Sequence, residues 1–164
     1  MRKIGFFIVG VILVVLIVGY LAANRDRGPD TDQISALIER GRQAIEHKAL
    51  DTAMSCISKN YHDDNGLNYD QARMLTSNAF RANKKLYAAV DSPDIQISGE
   101  EALARTHVSI VTVNDKEIVP PVAFSGDVVL HLKKERIRRY LIFPARDWKV
   151  IKIDGISAAV QQAF

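Results

Sequence analysis

Residues 103–113 read LARTHVSIVTV, and the period of the chain changes at this run. Before it, apolar residues recur at helical spacing. Within it and after it they are β-branched and partly alternate. Val, Ile and Thr fit a pleated strand and lose side-chain freedom in a helix. Downstream, residues 122–133 and 137–143 have the same character, with a turn expected about Lys134 and Glu135. Residues 148–153 (WKVIKI) supply a last strand, and Ile95-Gln96-Ile97 a short one just upstream. Residues 113–126 contain Pro120-Pro121, which removes two ladder donors, so a long connecting loop is expected there.

Working back from the strands, three helices are expected. The first begins near Asp30, where Asp30 and Gln33 have capping-box spacing, and Ile34, Leu37, Ile38 and Ile45 mark its apolar face through residue 48. The second covers about residues 50–58, with Leu50, Ala53, Met54 and Ile57 on one side. The third starts near Asn68, with Gln71 three residues on and a stripe of Leu75, Ala79, Ala82 and Leu86. Asn65-Gly66 marks the turn before it. Helices followed by a strand meander predict an α+β domain with an antiparallel sheet of four or more strands.

Outward again, residues 4–23 read IGFFIVGVILVVLIVGYLAA, without a charge. As a helix at ~1.5 Å per residue this run is about 30 Å long, the thickness of a bilayer core. Signal-peptide apolar cores run about 7–15 residues, so an uncleaved transmembrane anchor is expected. Arg2 and Lys3 keep residues 1–3 in the cytoplasm, although Arg25 and Arg27 follow the span. Residues 24–30 (NRDRGPD) form a linker, and residues 31–164 form the domain. The expected location is a bacterial inner membrane, single-pass, with the domain in the periplasm.

Net charge is +3, and Arg2 and Lys3 supply most of it, so the domain is nearly neutral and nothing points to nucleic acid. Cys56 is the only cysteine, beside Met54 and near Ile57. It forms no internal disulfide, has no cysteine partner for a metal, and reads as a small buried apolar residue.

Several polar groups invite a chemical reading. Residues 61–66 read YHDDNG. As a calcium loop with Gly66 sixth, Tyr61 and Ala72 would stand where carboxylates belong, so that reading fails. Asp and Asn here stabilise turns; Asp64 is the carboxylate kept as a candidate base. His107 lies mid-strand on the face of Arg105, Ser109 and Val111, where it either lines a pocket as a base or bonds on the outer face. His131 alternates with Leu130 and Leu132 and is expected on the solvent side. No metal-ligand spacing and no cofactor motif is present. Lys133, Lys134, Arg136, Arg138 and Arg139 form a basic run, read either as charge that guards a sheet edge or as contact with anionic headgroups. Tyr61, Phe80, Phe124, Tyr140 and Trp148 are the candidate pocket aromatics, with simple core packing as the alternative.

The opening helix, the short second helix ending in Ser58-Lys59-Asn60-Tyr61-His62-Asp63, the Asn-Gly turn, and the strand pair 128–133 (VVLHLK) and 147–152 (DWKVIK) together resemble the nuclear transport factor 2-like superfamily, the cystatin-like α+β roll. The resemblance covers about residues 31–155. It implies a curved sheet wrapped over three helices, with a cone-shaped pocket between them. Relatives include enzymes, such as ketosteroid isomerases and scytalone dehydratase, and many noncatalytic modules. Asp115, Asp127, Tyr87 and Tyr140 do not reproduce an isomerase site. The expectation is therefore a noncatalytic ligand-binding or assembly module of the cell envelope, dimeric through the sheet or bound to an envelope protein or small apolar ligand. The alternatives are a small pocket enzyme doing isomerase or dehydratase chemistry through His107 or Asp64, and an accessory domain docking on another membrane protein.

Overall fold

A computed structural model of the chain describes residues 28–113, 122–139 and 143–156. Helix α1 spans Asp30–Glu46, α2 Leu50–Ser55 and α3 Tyr69–Ala82. Strands follow at β1 Lys85–Val90, β2 Asp94–Ser98, β3 Glu101–Val113, β4 Val122–Arg139 and β5 Phe143–Asp154. All pairings are antiparallel, in the order β1-β3-β4-β5. β2 pairs with β3 as well, beside residues 101–105, while β1 pairs beside residues 108–113. The two short strands thus lie end to end along one edge of β3. Register shifts at Ile110/Val111 and at His131/Leu132 add local twist and bend the sheet around the helices.

Helix ends follow the side chains available. At α3 the capping box is complete: Asn68 Oδ1 accepts from Gln71 N at 3.0 Å, and Gln71 Oε1 accepts from Asn68 N at 2.9 Å. At α1 the expected box does not form. Pro29 stands at the N-cap without a side-chain bond, and Asp30 turns instead toward the sheet.

Three expectations need correction. Leu86 is not on the stripe of α3. The helix stops at Ala82, Asn83 turns extended and its Nδ2 donates to the Ala79 carbonyl, and Leu86 is buried in β1. There is no turn at Lys134-Glu135. β4 runs unbroken through it because β5 stays paired from Val129↔Asp154 to Arg139↔Phe143. Glu135 also accepts from the buried Ser58 Oγ at 2.6 Å. The expected loop over 113–126 is shorter, since β4 begins at Val122; Pro120 and Pro121 lie outside the described residues.

The core joins Ile34 and Leu37 of α1, Met54 and Cys56 from the α2 region, Tyr69 and Ala72 of α3, and Ala104, Leu132, Trp148 and Val150 of the sheet. Burial pushes the Cys56 thiol up, as a packed, inert cysteine requires. Among the described residues no helix is long and apolar enough to cross a membrane; the expected anchor, residues 4–23, lies outside them.

Candidate ligand cavity

A partly open cavity of about 280 Å³ lies between the sheet, the last turn of α1 and one face of α3. Ile45 closes it from the last turn of α1. Ala72, Leu75, Thr76, Ala79 and Phe80 present one face of α3 to it. These positions fall at i, i+3, i+4, i+7 and i+8, the spacing of a single helix face. Leu86 of β1, Ile110 of β3 and Ile153 of β5 form the sheet wall, and Ile57, Tyr61, Asp63 and Leu67 the rim after α2.

The polar atoms in this wall are few and occupied. Asp63 Oδ1 accepts from Asn65 N at 2.9 Å and from Leu67 N at 2.8 Å, which ties the turn into α3. Thr76 Oγ1 donates to the Ala72 carbonyl at 2.8 Å. Tyr61 is 4 % exposed. Burial, reinforced by the negative charges of Asp63 and Asp154, pushes its phenol up to about 12, so it stays neutral at physiological pH. Asp63 is the one carboxylate among the described lining residues, and its Oδ1 is taken up by those two backbone amides. The apolar part of the wall can bind an apolar body.

Of the expected pocket aromatics, Tyr61 and Phe80 line the cavity. Phe124 stands opposite Ile110 in the β3–β4 register, with its ring over Gly126, and is not among the lining residues. Trp148 is buried at the other end of the core, where its Nε1 donates to Asp30 Oδ1 at 3.1 Å. Tyr140 lies outside the described residues. Asp64 is exposed and pairs with Lys152 at 2.9 Å. The remaining wall, from Ile45, Leu86, Ile110 and Ile153, carries ordinary aliphatic residues whose convergence only the tertiary fold creates.

His107 faces away from the cavity, on the outer side of the sheet. Its Nδ1 lies 2.8 Å from Asp127 Oδ1 and its Nε2 3.1 Å from Ser125 Oγ. The three residue types match those of a nucleophile, a base and an orienting acid. However, the Asp127 side chain is 92 % exposed, and backbone amides in this position point along the sheet into the β3–β4 ladder. Among the described residues the β3–β4 ladder therefore leaves no backbone donor aimed above Ser125 to receive an oxyanion. His131 Nε2 lies 2.7 Å from Asp154 Oδ2, beside a wider depression of about 510 Å³ over Gln96, Ser98 and Leu103. No cluster of three or more His, Cys, Asp or Glu suited to a metal occurs among the described residues.

Of the basic run, Lys133 pairs with Glu101 at 3.4 Å, Lys134 with Asp30 at 2.7 Å, and Arg136 is exposed. Arg138 and Arg139 stand opposite Pro144 and Phe143 in the register.

No sequence-family profile matches the chain, and no curated protein matches it significantly. Solved structures do. A nuclear transport factor 2-like superfamily protein from Salmonella enterica superposes with a TM-score of 0.59 at 13% identity, over 75% of this chain and 87% of that one. The chain has the nuclear transport factor 2-like fold. A Novosphingobium aromaticivorans protein named provisionally as a scytalone dehydratase gives a TM-score of 0.62 at 12% identity, over 76% of this chain and 84% of its own. Bdellovibrio bacteriovorus Bd1075 gives 0.60 at 16% identity, over 75% of this chain; the match spans 38% of that larger protein. Identities this low carry the nuclear transport factor 2-like architecture and nothing of activity.

Proposed function

We propose that the domain is a noncatalytic binding module, tethered to a bacterial inner membrane by residues 4–23 and exported to the periplasm, that takes a small apolar molecule into this cavity. The observation that carries the reading is the wall itself: mostly aliphatic, with the aromatic Tyr61 and Phe80, and with Asp63 and Thr76 bonded to backbone close by in sequence. A volume of 280 Å³ equals roughly nine waters at ~30 Å³ each. That suits a ligand of about ten non-hydrogen atoms, near the lower end of ligand pockets. Burying an apolar body there supplies ~25 cal/mol per Å², and no polar group on the ligand is required. The dehydratase naming of one structural neighbour supports the enzyme alternative. That chemistry needs a free base facing the substrate, and neither His107 nor Asp64 faces the cavity.

The test uses the full chain in lipid nanodiscs with 1-aminoanthracene as the probe, whose emission rises in apolar surroundings. Emission should rise with the native chain and fall at least tenfold in apparent affinity with Ala79→Phe, which fills the cavity from α3. Trp148 emission checks that the variant is folded. Equal probe binding by both proteins, or by neither, sinks the ligand reading and leaves assembly through the sheet or docking on another envelope protein.

A further inference from the structure

The end of the domain that the linker enters is also its basic end. Asp30, the first residue of α1, accepts from Lys134 Nζ at 2.7 Å and from Trp148 Nε1 at 3.1 Å. Lys134 and Trp148 face each other across β4 and β5. β3 begins at Glu101, opposite Lys133. From Lys134 outward β4 therefore keeps β5 as its ladder partner, and a two-stranded ribbon continues to the Arg139↔Phe143 pair. Cations of the ribbon and its base are Lys133, Lys134, Arg136, Arg138 and Arg139 on β4, with Arg146 and Lys149 on β5. The carboxylates around them are Asp30, Glu100, Glu101, Glu135 and Asp147, so positive charge remains in excess.

The cavity is at the opposite end. α1 has 17 residues, about 25 Å at ~1.5 Å each, and Ile45 in its last turn lines the cavity. Along β4 the same order holds, with Phe124 opposite the cavity residue Ile110 and Lys134 ten positions further on.

We infer that this ribbon lies against anionic lipid headgroups of the bilayer that holds the anchor, and that the cavity end is thereby held away from the membrane. The inference rests on the tether in the reading above. Residues 24–29 separate the expected span from Asp30, and six residues reach at most ~20 Å. That is shorter than α1. A tether shorter than the domain, attached at the Asp30 end, brings that end to the lipid surface. The basic excess then meets a negative surface potential, which falls off within a Debye length of about 8–10 Å. Both conditions favour the same orientation, and the cavity receives its ligand from the aqueous compartment.

The experiment places a bimane fluorophore at Arg136→Cys or, as the far-end control, at Asn65→Cys in the full chain; the native Cys56 is buried and stays unlabelled. Nanodiscs carry a headgroup nitroxide quencher in either all phosphatidylcholine or about 30% phosphatidylglycerol. The label at 136 should be quenched several-fold more than the label at 65 in the anionic discs. That gap should shrink in zwitterionic discs, in about 0.5 M salt, and when Lys133→Glu is added. Equal quenching at the two positions overturns the orientation. A gap indifferent to lipid charge and salt overturns the headgroup contact. Release of the native full chain from membranes by alkaline carbonate shows instead that the tether reading itself fails, and the inference falls with it.

Discussion

Replacing Asp30 with alanine isolates the contact that fastens the start of α1 to the sheet. In the native chain one carboxylate oxygen serves three partners, Lys134 Nζ at 2.7 Å, Trp148 Nε1 at 3.1 Å and, from its own helix, Gln33 Nε2 at 3.2 Å. Trp148 is 1 % exposed, so Asp30→Ala strands a buried indole N–H, at ~1–3 kcal/mol. The Lys134 pair retains roughly a quarter to a third of its side-chain exposure. Solvent screening therefore limits it to ~1 kcal/mol or less. An acid in the first turn of a helix adds ~0.3–1 kcal/mol, part of which Asp32 keeps. The expected loss is ~2–4 kcal/mol for Asp30→Ala and about 1 kcal/mol for Asp30→Asn, whose amide oxygen still accepts from Trp148. Trp148 is the only tryptophan, so its emission during urea unfolding of the full chain in nanodiscs reports both the midpoint and the local environment. Native Trp148 emission in both variants, with stabilities within ~0.5 kcal/mol of each other, would refute the assigned bond.

Two further outcomes follow from the same structure. The Asp30 carboxyl is held below its ordinary value, chiefly by Lys134, and that of Asp154 by Lys152 and then His131. Their stabilisation is present above the unfolded carboxylate value of ~3.9 and is lost as pH falls through the lower folded values. The unfolding midpoint should therefore drop below about pH 4, and less steeply in Asp30→Asn; an identical acid limb in that variant would contradict the assignment. Gly155 has φ +91°, and a Cβ there would run into the Asp127 carbonyl. Gly155→Ala should cost ~1–3 kcal/mol or more in urea unfolding, and a neutral result would mean that the β5 end is built differently.

The parts of the fold that could be read in advance are those fixed by local chemistry. Asn68 and Gln71 cap α3 as their spacing says, because a capping box closes within one turn and needs nothing from the rest of the chain. Asp30 and Gln33 have the same spacing and fail to cap. A buried Trp148 and a nearby Lys134, more than a hundred residues away, compete for the same carboxylate, and no local pattern shows them. The supposed turn at Lys134-Glu135 fails for a related reason. Charge in a strand looks like a turn until a partner strand is seen beside it, and here β5 and Ser58 supply that partner. Leu86 continued the helical period of α3 by position alone, whereas Asn83 had already closed the helix through the Ala79 carbonyl.

The cavity shows where sequence reading of the site runs out. Aromatics draw attention because they are large, yet of the four expected ones that are described, Trp148 went to the core and Phe124 to the sheet face over Gly126. The wall is finished instead by Ile45, Leu86, Ile110 and Ile153, each indistinguishable in sequence from a core residue. What separates a cavity residue from a core residue is whether its neighbour across the gap reaches it. On α3 the facing side chains include Ala72 and Ala79, which leave space that a leucine would fill. Small residues at i and i+7 on an otherwise apolar helix face are therefore the one signal of a cavity that the sequence carried. They are also ordinary helix formers, so the same signal is present wherever α-helices pack closely, and only the curvature of the sheet opposite decides which of the two it means.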